Sequence, residues 1–181
     1  DGDDYILNGS KIFITNGQQA DIVIVVAKTD KEAGASGVSL IVLETSEATG
    51  FHRGRNLRKL GMKGQDTSEL FFDDVRVPRT NLLGQNEGRG FFQLMSQLGW
   101  ERLVIGIGAI GAMDGMMSET IRYVRERKAF GQRLMDFQNT RFKLAEAKSK
   151  LEVTRSFVNE CICKVICGNL ESVDGAMAKW W

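Results

Sequence analysis

Leu98-Gly99-Trp100-Glu101-Arg102-Leu103-Val104-Ile105-Gly106-Ile107-Gly108 is the stretch on which the fold turns. Apolar residues return three and four positions apart, and few residues before Arg127 break a helix. The spacing predicts one long helix that closes with Arg127-Lys128-Ala129-Phe130-Gly131-Gln132. Glu101 shares a face of that helix with Leu98, Val104, Ile105 and Gly108. A carboxylate taken out of water there costs several kcal/mol unless it is paired or protonated. Gly106, Gly108, Gly111 and Gly115 each cost about 1 kcal/mol relative to Ala inside a helix. Gly108, Gly111, Ala112 and Gly115 fall on the face of Glu101 and leave a shallow groove beside the acid. Two readings stand. The groove is a ligand site with one carboxylate on its floor, or the glycines admit a neighbouring helix while Glu101 meets an Arg from elsewhere.

Toward the C-terminus, the loop from Phe130 to Asp136 turns the chain and a second helix spans Phe137 to about Cys167. Gly168-Asn169 ends it, and Ser172, as N-cap, opens a third. Toward the N-terminus, residues 1 to about 80 read as β structure. Tyr5-Ile6-Leu7 and Lys11-Ile12-Phe13-Ile14-Thr15 flank Asn8-Gly9, a hairpin signal, and Asn16-Gly17 ends the next strand. The β-branched run Ile22 to Ala27 predicts a strand buried on both faces. A loop over 29–36 precedes a strand from Val38 to Glu44, and another strand from Leu70 to Val77 stops at Pro78. Strands followed by helices, with a boundary near residue 82, make an α+β chain: a β domain over 1–82 and a helical domain over 83–181.

A net charge of +1 and 43% hydrophobic residues give no electrostatic reason to expect nucleic acid or a membrane surface. The uncharged run from Leu103 to Met113 falls short of the roughly 20 residues of a membrane span, despite Gly111 and Gly115 four apart. With His52 as the only histidine, a zinc site or a His-based triad has little to build on. Cys161, Cys163 and Cys167 fall on one predicted helix and read as small buried thiols, so the compartment reads as reducing. The chain begins at Asp1 directly before a strand pattern and stops at Trp180-Trp181 in mid-helix, so it reads as an internal piece of a longer protein with both Trp half exposed.

Several motifs, in order and over essentially the whole chain, resemble the acyl-CoA dehydrogenases. They are Asn8-Gly-Ser-Lys-Ile-Phe-Ile-Thr-Asn-Gly17, Leu70-Phe-Phe-Asp-Asp-Val-Arg-Val-Pro78, Glu101-Arg102-Leu103, Arg127-Lys-Ala-Phe-Gly-Gln132, and the segment from Gln138 to Glu146 ending Lys-Leu-Ala-Glu. The resemblance implies a partial middle β-barrel-like domain followed by part of a C-terminal four-helix bundle. It implies an FAD enzyme that oxidises an acyl-CoA thioester to the trans-2-enoyl-CoA and passes electrons to an electron-transfer flavoprotein. It also implies a homodimer or homotetramer with FAD shared across the dimer interface, in a bacterial cytoplasm or a mitochondrial matrix.

Glu101-Arg102-Leu103 matches the branch of long-chain and isovaleryl-type enzymes, in which the base for the α-proton lies on this helix. Glu101 is then expected to be desolvated, which makes a stronger base. Phe13, Ile14 and Thr15 match the strand along the flavin, with Phe13 where many relatives have Trp; Thr15 taken alone is an ordinary strand end. Arg127 and Gln138 match residues that reach the ADP half of a partner subunit's FAD, and Phe130 shapes the turn between them. A planar guanidinium suits a pyrophosphate, though a cation at a helix C-terminus is favoured by about 0.3–1 kcal/mol without any ligand. Phe92 and the run Gly99, Trp100, Glu101, Arg102 match acyl-CoA contacts, although Phe92 by default is a core aromatic. The alternatives are an oxidase-like relative that gives its electrons to oxygen, and a folded or oligomerisation module without activity.

Overall fold

The computed structural model describes residues 2–181, which divide into two compact units, one ending at Leu94 and the other running from Met95 to Trp181. The first unit holds five strands: β1 (Asp4–Thr15), β2 (Ile22–Lys28), β3 (Val38–Glu44), β4 (Phe51–Asn56) and β5 (Thr67–Pro78). In one antiparallel sheet β5 lies between β1 and β4; β2 and β3 pair in a second. Leu7, Leu70, Phe72, Val75 and Val77 from the first sheet meet Val25, Ile41 and Leu43 from the second in one core. Each such buried side chain stabilises the fold by about 1.5–3 kcal/mol. The α+β class and the strands-then-helices order hold. The partial barrel-like domain consists of these two sheets around one core, and among the described residues they do not close into a full barrel.

Asn8-Gly9 is not a hairpin turn. β1 runs straight through it, and the register with β5 slips between Leu7 and Gly9. The Asn8 side chain donates to Asp74 Oδ1 at 2.8 Å and accepts from the Asp74 amide at 2.9 Å, while Asp74 takes φ +51°. This bulge explains the burial along β5, where Ser68, Leu70 and Phe72 face inward and then, one residue out of phase, Val75 and Val77 do. In a regular strand of the same sequence, with no bulge, both valines would point to solvent. β2 is not buried on both faces: Ile22, Ile24 and Val26 are exposed, because among the described residues only β3 pairs with it and no layer covers the outer side. β4 has no apolar alternation to announce it. Phe51 stacks tilted on Phe72 at 5.4 Å, and Gly54 lies so close that a Cβ would sit 2.6 Å from the Phe71 ring.

The second unit holds most of α1 (Gly90–Glu126), the two-residue strands β6 (Lys128–Ala129) and β7 (Gln132–Arg133), α2 (Gln138–Ile166) and α3 (Ser172–Trp180). Leu103 and Ile110 of α1 are buried with Leu151, Val158 and Cys161 of α2 and Ala178 of α3, and Met113 and Met117 pack at the edge of this core. Small residues bring α3 against α1. A Cβ on Gly106 would lie 3.1 Å from the Ala178 carbonyl oxygen, and one on Gly175 would lie 2.2 Å from that of Gly99. Between α1 and α2 the expected loop is a β-hairpin whose two turn residues, Phe130 and Gly131, have φ +51° and +82°. Cys161 is buried as expected, but Cys163 and Cys167 are exposed, since they lie off the stripe that α2 turns to the core. Trp180 and Trp181 are both exposed, although the Trp181 indole N–H still donates to Thr154 Oγ1 at 2.7 Å.

Gly168 takes φ +71° where α2 ends, and its N–H reaches the Val165 carbonyl at 3.0 Å. The N-cap of α3 is Glu171, one residue before the expected Ser172, because Asp174 reaches back to the Glu171 amide at 3.1 Å. The other oxygen of Asp174 accepts from Lys164 Nζ at 2.8 Å, which holds the Asp174 carboxyl below its ordinary range and raises Lys164. A depressed carboxylate contributes stability above its unfolded pKa of about 3.9 and loses it as pH falls through the folded value. Wild-type protein is therefore expected to lose urea resistance below about pH 4 more steeply than Asp174→Asn, and equal slopes would remove this pair from acid unfolding.

Candidate functional site

The candidate residues divide between the two units. In the first, Phe13, Ile14 and Thr15 end β1 at a second register slip, between Lys11 and Ile14. Phe13 sits at φ +62° with its side chain 71% exposed. A bulky residue in the left-handed region costs on the order of 1–3 kcal/mol, and such outliers concentrate at ligand sites. Ile14 pairs with Ser68 and Thr15 with Thr67, so β5 fixes the strand end. Among the described residues the Thr15 hydroxyl has no hydrogen-bond partner. Phe92 is half exposed rather than core; it meets Phe91 edge-on at 6.0 Å, with the Arg89 guanidinium 5.1 Å above its ring.

In the second unit, Glu101 is solvent-exposed on α1, so the expected desolvation of its carboxylate does not hold within these residues. The reason is that α2 and α3 cover the opposite face of α1, the one with Leu103, Gly106 and Ile110. Val104 and Ile105 are exposed beside Glu101, and nothing lies within 4 Å of where a Cβ would be at Gly108, Gly111 or Gly115. The groove exists and is open. Among the described residues Glu101 pairs with no Arg, and of the four glycines it is Gly106 that admits a neighbouring helix. Gly99 and Trp100 line a separate cleft of about 330 Å³ with Val165, Gly168, Leu170 and Ser172, and Arg102 is half-buried.

Arg127, Phe130 and Gln138 lie along the α1–α2 connection. The Arg127 amide donates to Tyr123 at 2.9 Å, and its carbonyl accepts from Leu134 at 2.9 Å, which closes the hairpin. Its guanidinium has no partner among the described residues. Phe130, at φ +51°, is 96% exposed and meets Phe137 edge-on at 6.5 Å. Gln138, the first residue of α2, is exposed beside them, while Arg133 is already held by both oxygens of Asp136 at 3.0 Å. Of the non-glycine residues at positive φ, Asn16 and Asp74 are types that tolerate it; Phe13, Phe130 and Met62 are not. Met62 lies in a loop that sequence reasoning passed over, and nothing in its residue types announces the strain.

Among the described residues no group of three His, Cys, Asp or Glu could hold a metal ion, and no helix is long and apolar enough to cross a membrane. The family description "Acyl-CoA dehydrogenase, middle domain" matches residues 1–75, and "Acyl-CoA dehydrogenase, C-terminal domain" matches residues 88–181. The long-chain specific acyl-CoA dehydrogenase of Sus scrofa mitochondria is 50% identical over 183 residues, covering 100% of this chain and 42% of that protein. The crystal structure of an acyl-CoA dehydrogenase from Geobacillus kaustophilus superposes with a TM-score of 0.94 at 48% identity, covering 100% of this chain and 48% of that one. Butyryl-CoA dehydrogenase from Megasphaera elsdenii gives 0.91 at 41% identity, covering 98% and 46%. The chain thus spans less than half the length of these relatives. Matches in both units at this identity settle the family: the chain belongs to the acyl-CoA dehydrogenases.

Proposed function

We propose that this chain carries the base and part of the cofactor site of an FAD-dependent enzyme that oxidises an acyl-CoA thioester to the trans-2-enoyl-CoA. The observation that carries the reading is Glu101: an unpaired carboxylate on an apolar face that the rest of the second unit leaves open. Glu101 would take the α-proton on a carboxylate oxygen. Glycines at 108, 111 and 115 would let the acyl chain lie against the helix backbone. Covering that face with an acyl chain and cofactor would exclude water and strengthen the base, so the desolvation that this chain lacks would come with the ligands.

The residues fit FAD. The exposed Phe13 ring, held out by a strained backbone, and the free Thr15 hydroxyl suit a flat ring with a polar edge. The Arg127 guanidinium, without a partner among the described residues, at one end of the α1–α2 connection and Gln138 at the other suit a diphosphate. FAD, when bound, would supply the acceptor for the hydride leaving the β-carbon. Glu101 and Arg127 are 26 positions apart, and α1 rises about 1.5 Å per residue, so they stand about 39 Å apart along the axis. That exceeds the length of an FAD molecule, so Arg127 would serve the FAD of a second subunit in a homodimer or homotetramer. Electrons would leave to an electron-transfer flavoprotein, in a bacterial cytoplasm or a mitochondrial matrix.

Anaerobic titration of the FAD-loaded protein with acyl-CoA tests the reading: the flavin absorbance should bleach, and electron-transfer flavoprotein, not air, should restore it. Rapid return in air would make the protein an oxidase, and no saturable FAD binding would leave a folded module. Arg127→Ala removes a charge-assisted contact worth about 1.5–3 kcal/mol. FAD should then bind about 10–150-fold more weakly by fluorescence titration. Unchanged affinity would leave Arg127 with only the helix dipole for company.

A further inference from the structure

Cysteine is among the residue types most often buried, yet Cys163 and Cys167 are both exposed at the end of α2. They stand four positions apart, and the turn between them is regular. Cys167 keeps right-handed helical backbone at φ −82°, and its N–H donates to the Cys163 carbonyl at 3.0 Å. Their side chains therefore stack one above the other on the helix, with Cβ atoms about 5–6 Å apart. Neither sulfur has a hydrogen-bond partner among the described residues. Lys164, which lies between them in the chain, is already taken: its Nζ bonds Asp174 at 2.8 Å and lies 3.8 Å from Glu160. Cys161 does not join the pair, because it is fully buried on the stripe that α2 turns to the core. Two free thiols thus share one exposed helical turn that the proposed acyl-CoA chemistry does not use.

We infer that Cys163 and Cys167 form a binding site for a soft monovalent metal ion, Cu(I), held in a line between the two sulfurs. The inference stands apart from the function proposed above. Spacing decides against the plainest alternative. A disulfide needs Cβ atoms about 3.5–4.5 Å apart, so these two thiols would close one only by distorting the helix. An ion seated between the sulfurs spans the longer gap with the backbone in place. Ligand number and softness then select the ion. Among the described residues no third His, Cys, Asp or Glu completes a metal-holding group, whereas structural zinc takes four ligands. Thiolates favour soft ions, and Cu(I) is satisfied by two of them. Binding exchanges protons for metal: Cu(I) and two thiols give an anionic bis-thiolate complex and two protons, with no change in oxidation state. Water at this exposed turn solvates the added charge.

The test titrates the reduced protein with Cu(I) under anaerobic conditions, in competition with a chromophoric Cu(I) chelator. Wild type should take one ion per chain and keep its oligomeric state by sedimentation. Cys163→Ser and Cys167→Ser should each weaken binding about 10²–10⁴-fold, because the second thiolate binds intramolecularly and either substitution removes that advantage. Both residues are exposed, so neither variant strands a buried group, and an unchanged thermal midpoint without copper shows that each folds. If either variant keeps wild-type affinity through its remaining thiol, the two sulfurs act separately and the inference is overturned. Copper-driven association of chains also overturns it, since the ion would then sit between molecules. So does a wild-type protein that leaves all of the copper with the chelator. Ready closure of the pair by dilute peroxide, read as the loss of two hydrogens and of both free thiols, would overturn the spacing argument and the site with it.

Discussion

Glu101→Gln in the FAD-loaded protein is expected to slow flavin reduction by acyl-CoA about 10²–10⁴-fold, the usual contribution of a positioned general base. The amide keeps the shape and the hydrogen-bonding reach of the acid and loses only the ability to take a proton. Glu101 has no partner among the described residues and is exposed, so the substitution strands no buried group. Stability should stay within about 0.5 kcal/mol of wild type, as for other surface substitutions. FAD and acyl-CoA should bind as before, which separates loss of the base from loss of the site. The decisive measurement is rapid-mixing absorbance under anaerobic conditions with saturating substrate. Near-normal reduction would move the base elsewhere and leave Glu101 as one more charge on an exposed helix face.

The sequence made α1 legible because helical periodicity needs only residue types, and the apolar run from Leu103 is long. It could not show which of two apolar faces the neighbouring helices would take. Leu103, Gly106 and Ile110 went to the core, while Val104, Ile105 and Gly108 stayed open, a choice made by the small residues of α3. The three motif positions Phe13, Arg127 and Phe130 were found by resemblance, yet the strain at Phe13 and Phe130 belongs to backbone geometry that residue type does not encode. Asn8-Gly9 failed for a related reason. Asn-Gly favours positive φ, and a bulge uses that as well as a hairpin does; the bonds from Asn8 to Asp74, 66 positions away, decided between them. β4 stayed hidden because its order comes from its neighbours, with Arg53 bonding to three groups outside its own strand.

Glycines in the helical unit carry opposite duties, and this yields the largest expected change in stability. Gly175→Ala places a methyl 2.2 Å from the Gly99 carbonyl oxygen, with the Gly99 carbonyl carbon at 3.0 Å and Cα at 3.2 Å. All three are backbone atoms, so no side chain can rotate away and α3 must shift off α1. Helix propensity favours Ala by about 1 kcal/mol, but overpacking a tight contact costs about 1–3 kcal/mol and at times more, so the clash wins. The expected net loss is about 2 kcal/mol, read as a lower urea midpoint with an unchanged slope. Gly108→Ala is the control on the other face, where nothing lies within 4 Å of the added Cβ. There the propensity gain of up to about 1 kcal/mol should survive. If the groove is where the acyl chain lies, that same methyl should raise KM for acyl-CoA while stability improves. A Gly108→Ala protein that gains stability with no change in KM would detach the glycine groove from the substrate, and an unchanged Gly175→Ala protein would mean that α3 does not lean on α1 through Gly99.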